Sequence, residues 1–254
     1  MQPNRSMQPN RSMQPNRSMR TPTHALRVAS GLAAGALLAL TSLAWPAPGA
    51  GAAGSQSATL AQARKDVLVL SDMPSGWTSS KNPNTGNNST GSAQLAQCTG
   101  LAKSLIAENP PTAYSRQFQN KQGTLTVADG VAVFPSAKNA AAEYSLGDNP
   151  KLPACLTSLA SGPEKQKLFG KLPSGTTLGT PLVSAVAAST FGPGVDGYSL
   201  SVPVTSQGVT LNVTVTQLMT IKGRLGHQVT FTSVGTPFTV ALEQQIMKVA
   251  AGRL

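Results

Sequence analysis

The chain has 254 residues, of which only 11% are charged, and 20 basic against 9 acidic residues give it a formal net charge of +11. The basic residues are dispersed and are not interleaved with aromatic residues, which argues against a nucleic-acid-binding surface. A positive balance of this kind favours contact with an anionic wall or membrane surface, but only through weak electrostatic steering.

Three tandem copies of MQPNRS occupy residues 1–18, and Met19 follows them directly. The repeat contains no apolar residue except methionine and cannot build a core, so we expect it to be disordered. Translation starts either at Met1, which leaves the repeat as a cytoplasmic tail, or at Met19.

Residues 19–52 have the pattern of a secretory signal peptide. Arg20 and Arg27 precede an uncharged apolar run over residues 28–45, and an Ala-x-Ala sequence ends the segment. We predict cleavage after Ala52, which removes five arginines and no acidic residue and leaves a net charge of +6. A retained membrane anchor is the alternative, although the apolar run is near the lower length limit for crossing a bilayer. No cysteine near the site offers a lipid anchor.

Residues 53–254 are then expected to form a single domain in the cell envelope or outside the cell, with no stable membrane anchor after cleavage. This length is sufficient for one domain with a substantial core.

Both cysteines, Cys98 and Cys155, belong to this exported part. Outside the cytoplasm an even pair is most simply a disulfide, with a stabilisation of roughly 4 kcal/mol on the chain-entropy account. A metal-binding or nucleophilic role lacks partners, because the exported part contains one histidine, His227. We therefore expect a disulfide, no metal and no other cofactor.

The order of the elements that the sequence predicts indicates an α+β fold. In chain order we expect helices at about 58–70 and 93–108, strands at 113–120 and 124–134, helices at 135–144 and around Cys155, β-structure over 176–232, and a C-terminal helix. Thr236 is expected to cap that last helix, with Pro237 in its first position. The result is an antiparallel sheet of about six strands packed with helices, including N- and C-terminal ones.

Alternating apolar residues indicate a hairpin after residue 198. Their faces agree if Ser206 pairs with Val209 across a two-residue Gln207-Gly208 turn. Val202 then lies opposite Val213.

The next connection is expected to be a three-residue loop, Lys222-Gly223-Arg224. A two-residue turn would put Arg224 opposite Ile221 and mismatch the apolar residues. The longer loop puts Val215 opposite Phe231.

In this register three polar side chains, Tyr198, Gln217 and His227, gather on an otherwise apolar face. They form either a buried network in which each satisfies another or the polar end of a ligand cleft, and they are the candidate ligand-binding residues. The opposite face, with Thr210, Asn212, Thr214, Thr216, Thr230 and Thr232, is expected to be a solvated sheet surface.

Motifs of common enzymes are missing from the sequence. It contains no Gly-x-Ser-x-Gly elbow, no His-Glu-x-x-His and no phosphate-binding glycine loop. Ser/His/Asp chemistry would have to use His227, near which the sequence supplies no nucleophile. We expect a non-catalytic domain. The alternatives are a secreted hydrolase assembled from distant residues, or an adhesive envelope protein that uses the threonine-rich face.

A helix leading into LVLSDMPSGW, a polar loop, a helical cysteine, YSRQF, VAVFPSAKNAAAEY and a second cysteine follow one another in this chain. This order resembles the extracytoplasmic sensor-like domains of actinobacteria, including the PknH-type receptor-kinase sensor domain, over roughly residues 60–249. The PknH-type domain has two disulfides, whereas this chain has two cysteines. The Mog1/PsbP-like lipoprotein fold, with similar helix and sheet content, is the rival architecture.

The resemblance implies an antiparallel sheet with helices around a cleft for a small ligand, and no enzymatic activity. The expected function is therefore that of an exported, non-catalytic, sensor-like domain. Its expected partner is an unknown small ligand or an envelope component, and we expect it to be a monomer.

Overall fold

A sheet of nine antiparallel strands organises the part of the chain that the computed structural model describes. That part comprises residues 53–82, 95, 97–102, 110–162, 172, 174–186 and 188–254. The repeat and the signal peptide predicted for residues 1–52, and most of the helix predicted for 93–108, lie outside it. Within these residues, no helix combines the length and apolar character needed to cross a membrane.

The elements follow one another along the chain in this order: α1 (Ala53–Asp66), a 3-10 turn (Leu70–Asp72), β1 (Thr78–Ser80), β2 (Thr112–Tyr114), β3 (Gln117–Gln119), β4 (Leu125–Val133), α2 (Ala137–Tyr144), α3 (Leu152–Ser161), β5 (Thr176–Leu178), β6 (Leu182–Ala185), α4 (Ala188–Phe191), β7 (Val195–Ser206), β8 (Val209–Lys222), β9 (Leu225–Val234) and α5 (Val240–Arg253).

The four long strands form the centre of the sheet in the order β4-β9-β8-β7. Short strands complete its edges: β2 and β3 share the outer side of β4, and β5 and β6 share the outer side of β7, while β1 extends β3. The α+β class is confirmed. The expected number of six strands is too low, because strands of three or four residues are too short to show a periodic pattern in the sequence.

The first long hairpin has the predicted register. Ser206 pairs with Val209, and Val202 lies opposite Val213. Both turn residues adopt positive φ, 52° at Gln207 and 77° at Gly208. This is the type I′ geometry whose twist matches that of the flanking strands.

The second long hairpin differs from the prediction by one residue. Lys222 pairs with Leu225 across a two-residue turn, so Phe231 lies opposite Thr216. The predicted three-residue loop and the pairing of Val215 with Phe231 are wrong. Gly223 takes a φ of 61° in the first turn position, as glycine does in a type II′ turn.

Helices cover both faces of the sheet. On one face, here called the α3 face, Leu200, Val202, Val213 and Val215 pack with Leu152, Cys155 and Leu156. On the other, the α5 face, Phe118, Val127, Leu218, Val229 and Phe231 pack with Leu68, Ile246, Met247 and Ala250. Because apolar residues are buried on both sides, apolar matching could not identify the register of the second hairpin.

The threonine-rich surface predicted from the sequence does not exist as one face. Thr230 pairs with Gln217 and lies on the α3 face, whereas Thr216 lies on the α5 face. Thr216, Thr230 and Thr232 are all buried, each less than a tenth exposed. The prediction of a solvated sheet face is therefore wrong for these three residues, whereas Thr210 and Asn212 are exposed.

The last helix starts three residues later than predicted. Thr239, not Thr236, is its N-cap, and the Thr239 side chain accepts a hydrogen bond from the Leu242 N–H. The preceding Phe238 packs edge-on against Phe231, with ring centroids 5.3 Å apart. That contact packs the segment before the helix against the sheet.

The predicted disulfide is present. Cys98 and Cys155 are bonded, with 5.8 Å between their Cα atoms. The bond joins the helical residues around Cys98 to α3 and closes a loop over a sequence separation of 57 residues.

Replacing both cysteines by serine is expected to lower the free energy of unfolding by about 4 kcal/mol, because the unfolded chain regains the entropy of this loop. Urea denaturation of the oxidised chain and of the variant measures the difference. Reduction of the wild-type chain should reproduce it, and an unchanged midpoint after reduction would contradict the prediction.

Candidate functional site

A cavity lies between the α3 face of the sheet and the helix α2. Its empty space is about 560 Å³ when the open solvent at its mouth is counted with it. Its walls come from the end of α2 and the turn after it, from the first residue of α3, from Leu95, and from β7, β8 and β9. Most of these wall residues are apolar or contribute backbone, so its few polar groups determine its chemistry.

Tyr198 and Gln217 meet in this cavity, as the sequence predicts. They are cross-strand partners on β7 and β8, and the Tyr198 hydroxyl donates a hydrogen bond to Oε1 of Gln217. Burial, together with the charge of Glu143, raises the pKa of Tyr198 far above its usual value. The hydroxyl therefore stays protonated at physiological pH and acts as a donor.

His227 does not join this pair. It pairs with Thr220 on β8 and thus lies on the α5 face, on the other side of the sheet from Gln217. The predicted three-residue polar cluster is wrong, because a one-residue change of register turns every side chain of a strand to the opposite face.

His227 instead connects three layers of the fold. Its Nε2 lies 2.6 Å from Oδ2 of Asp129, and its Nδ1 lies 3.0 Å from the carbonyl oxygen of Ala250. That carbonyl belongs to the last turn of α5, where backbone acceptors have no partner within the helix. The same Asp129 oxygen accepts from the Leu68 N–H at 3.1 Å, just beyond α1.

The proton count of this pair follows from its partners. The Ala250 carbonyl can only accept, so Nδ1 carries a proton. At 2.6 Å, Nε2 and the carboxylate share a second proton. The pair is therefore neutral as a whole, and both of its side chains are fully buried.

Glu143 is a cavity residue that the sequence did not single out. It lies near the end of α2, is buried, and its Oε2 has no hydrogen-bond partner among the described residues. Burial raises the pKa of this carboxyl from 4.5 to about 8, so at neutral pH it is mostly the neutral acid.

Asp196 is a second buried carboxyl in the wall. Its Oδ1 accepts from the Gly197 N–H at 2.6 Å, and its Oδ2 has no partner among the described residues. Burial raises its pKa to about 6. The hydrogen bonds from the Gly197 and Asp148 backbones oppose this shift, whereas the charge and the side-chain hydrogen bond of Asp148 add to it. A Cβ at position 147 would lie 2.3 Å from Oδ2, so Gly147 makes room for the carboxyl.

A third buried carboxyl, Glu243, lies outside the cavity. It belongs to α5 and hydrogen-bonds with Thr216 on the other face of the sheet. Burial raises its pKa to about 7. Glu243 thus resembles Glu143 in chemistry but not in position.

The cavity combines an apolar wall with buried acids and a phenol. No lysine, arginine or histidine is among its lining residues within the described part of the chain. The same part contains no group of three or more acidic, histidine or cysteine residues arranged to hold a metal ion.

No known protein family and no curated protein matches the sequence. Among solved structures, the extracellular domain of PknH from Mycobacterium tuberculosis is similar to this chain at 12% sequence identity and a TM-score of 0.31. The similarity covers 71% of this chain and 79% of that one. The sensor-like resemblance inferred from the sequence thus finds a weak structural neighbour, and this degree of similarity carries no argument about function.

Replacing His227 by alanine is expected to destabilise the chain by about 3–5 kcal/mol, because it leaves Asp129 buried without its partner. Chemical denaturation of His227→Ala, of Asp129→Ala and of the double variant gives the coupling free energy between the two side chains. We expect a coupling of at least about 1 kcal/mol. Additive losses would show that the pair does not act as a unit.

Glu143 makes stability depend on pH. The unfolded glutamate ionises near 4.5 and the folded one at about 8, so between these values the folded chain holds the extra proton. The free energy of unfolding therefore falls as pH rises through this window, by up to about 1.4 kcal/mol per unit.

Glu143→Gln removes that contribution and is expected to be more stable than the wild-type chain near pH 8. From about pH 7 upwards Asp196 is largely ionised but Glu243, with a pKa of about 7, still titrates, so the difference between the two proteins, rather than the wild-type slope alone, isolates Glu143. Urea denaturation of both proteins across this range is the measurement. A wild-type chain more stable than Glu143→Gln at the upper end would refute the assignment.

Proposed function

We propose that this chain is an exported, non-catalytic, sensor-like domain that binds a small ligand in the cavity between the α3 face and α2. The observation that carries the proposal is that two buried carboxyls, Glu143 and Asp196, line this cavity, and that one oxygen of each has no hydrogen-bond partner among the described residues. A buried polar group left unsatisfied costs about 1–3 kcal/mol. A ligand that hydrogen-bonds to these oxygens offsets this cost.

Export is supported by two independent features. The Cys98–Cys155 disulfide is of the kind that persists in oxidising compartments. Residues 19–52 have the order of a cleaved signal peptide, with a basic start, an apolar middle and small residues at the end. We place the mature domain in the cell envelope or outside the cell, as a monomer without a nucleic-acid partner.

The geometry argues against a Ser/His/Asp hydrolase. That form of the secreted-hydrolase alternative depends on His227, since it is the one histidine after residue 52. Its side chain is fully buried, and both ring nitrogens are engaged, one by Asp129 and one by Ala250. Neither nitrogen is free to activate a nucleophile or to contact a substrate.

The adhesive alternative loses half of its surface. It would use the threonine-rich strand face, whose Thr216, Thr230 and Thr232 are buried between the sheet and the helices. A cavity of this kind suits a small ligand better than an extended polymer.

A thermal-shift screen of the purified chain against envelope lipids, glycans and small metabolites tests the proposed site. Compounds that bind the folded state raise the midpoint of unfolding. In Met219→Trp the indole is expected to fill part of the cavity, because Met219 lines it, and we expect the shift to be lost.

The matched control is Val209→Trp, which places the same side chain at an exposed position on the same strand, β8. It should keep the shift. Compounds that stabilise Met219→Trp as strongly as the wild-type chain would place the ligand elsewhere, and a screen without any cavity-dependent shift would overturn the proposed function.

A further inference from the structure

We infer that the cavity selects small molecules that carry an ammonium group next to a short apolar portion, with the Glu143 carboxylate as the counter-ion. This inference rests on the proposed function, because it specifies the ligand class of the same site. It follows from the position of Glu143, from the charges around it and from the aromatic rings beside it.

The position of Glu143 makes it available to a ligand. Its residue is 7% exposed, so it is almost fully removed from bulk water. Its Oε2 has no partner among the described residues, and Glu143 is one of the residues that line the cavity. The fold therefore places beside the cavity a strong acceptor that the described residues leave unused.

Among the described residues that line the cavity, the ionisable groups are all acidic. The ionisable residues in the wall are Glu143, Tyr144, Asp196 and Tyr198, and Asp148 lies close enough to affect Asp196. Three of the nine acidic residues thus gather here, in a chain whose formal net charge is +11. An anion would face two carboxyls, with no compensating cation among the described lining residues, whereas an ammonium group gains a counter-ion.

Aromatic rings complete the recognition chemistry. Tyr144 and Tyr198 both line the cavity, and the faces of such rings attract cations. The Tyr198 hydroxyl already donates to Gln217, which leaves its oxygen to accept from a ligand N–H. The apolar part of the ligand would pack against Leu146, Leu152 and Met219.

Binding of an ammonium group is coupled to a proton. Without ligand Glu143 holds its proton until about pH 8. When the cation binds, the Glu143 O–H bond breaks, the proton leaves to solvent and the carboxylate pairs with the ammonium group. The affinity therefore rises with pH towards about 8, by up to about tenfold per unit.

The other groups that face Glu143 do not produce this dependence above pH 7. Asp196, on β7, ionises at about 6, and the pKa of each tyrosine is raised above its usual value. Asp148 lies after α2 and is exposed. Glu143 is then the cavity carboxyl that still titrates between about 7 and 8.

Three probes with one ring and different charges test the inference: benzylamine, benzyl alcohol and benzoate. Calorimetric titration of the full chain is expected to show that benzylamine binds at about pH 8 and at least tenfold more weakly at about pH 6. Benzyl alcohol should bind more weakly with no pH dependence, and benzoate should not bind. Titration of benzylamine in two buffers of different ionisation heat should report the release of up to one proton.

Glu143→Gln should weaken the binding of benzylamine at least about tenfold near pH 8 and leave the affinity for benzyl alcohol unchanged, because glutamine keeps the shape and loses the charge. Glu243→Gln is the matched control: it neutralises a buried glutamate on the other face of the sheet and should change the affinity for neither probe. If Glu143→Gln does not fold, the proton-release measurement on the wild-type chain decides the question.

Binding of benzyl alcohol or benzoate as tight as that of benzylamine would overturn the ammonium inference and leave the cavity as a ligand site. Benzylamine binding without proton release, or unchanged in Glu143→Gln, would overturn it as well. If none of the three probes binds, the inference fails, whereas the proposed function fails only if the wider screen also gives no cavity-dependent shift.

Discussion

Burial of the central sheet on both faces is the constraint on which the rest of the structure depends. The strands β4, β9, β8 and β7 are covered by α2 and α3 on one side and by α1 and α5 on the other. A polar side chain on such a strand has no water to pair with, so it must find a partner within the fold or face a cavity. On the α5 face His227 forms a hydrogen bond with Asp129, and on the α3 face Tyr198 forms one with Gln217.

The carboxyls of Glu143 and Asp196 are not fully paired within the fold. Each keeps one oxygen without a partner among the described residues, and both line the same cavity. Asp129 differs in having a charged partner: one of its oxygens contacts both His227 and the Leu68 N–H, although its Oδ1 likewise has no partner among the described residues. An unpartnered carboxyl oxygen alone therefore does not identify a ligand site. What distinguishes Glu143 and Asp196 is their place in the wall of the cavity.

The sequence was informative wherever one local pattern decided the outcome. The cysteine pair, the α+β class and the first long hairpin follow from counting, alternation and a two-residue turn, and all three are confirmed. The second hairpin was misjudged because its strands are buried on both faces, so apolar matching could not choose between loop lengths, although Gly223 in a first turn position is typical of the shorter one. The Tyr198–Gln217 pair depends on the first hairpin alone and is therefore right, whereas the place of His227 depended on the second.

Glu143 could not have been found in this way. In the sequence it follows three alanines on a short helix, where a glutamate is ordinarily exposed, and its burial results from the packing of α2 onto distant strands. This packing also determines how the site discriminates between ligands. A carboxyl held as the neutral acid destabilises the empty cavity much less than a buried charge would. A neutral ligand gains little from it, an anion meets its neighbours Asp196 and Asp148, and a cation restores the ionised form with a counter-ion at short range. Burial thus disfavours the ionised form of Glu143, and of the three kinds of ligand only a cation stabilises that form.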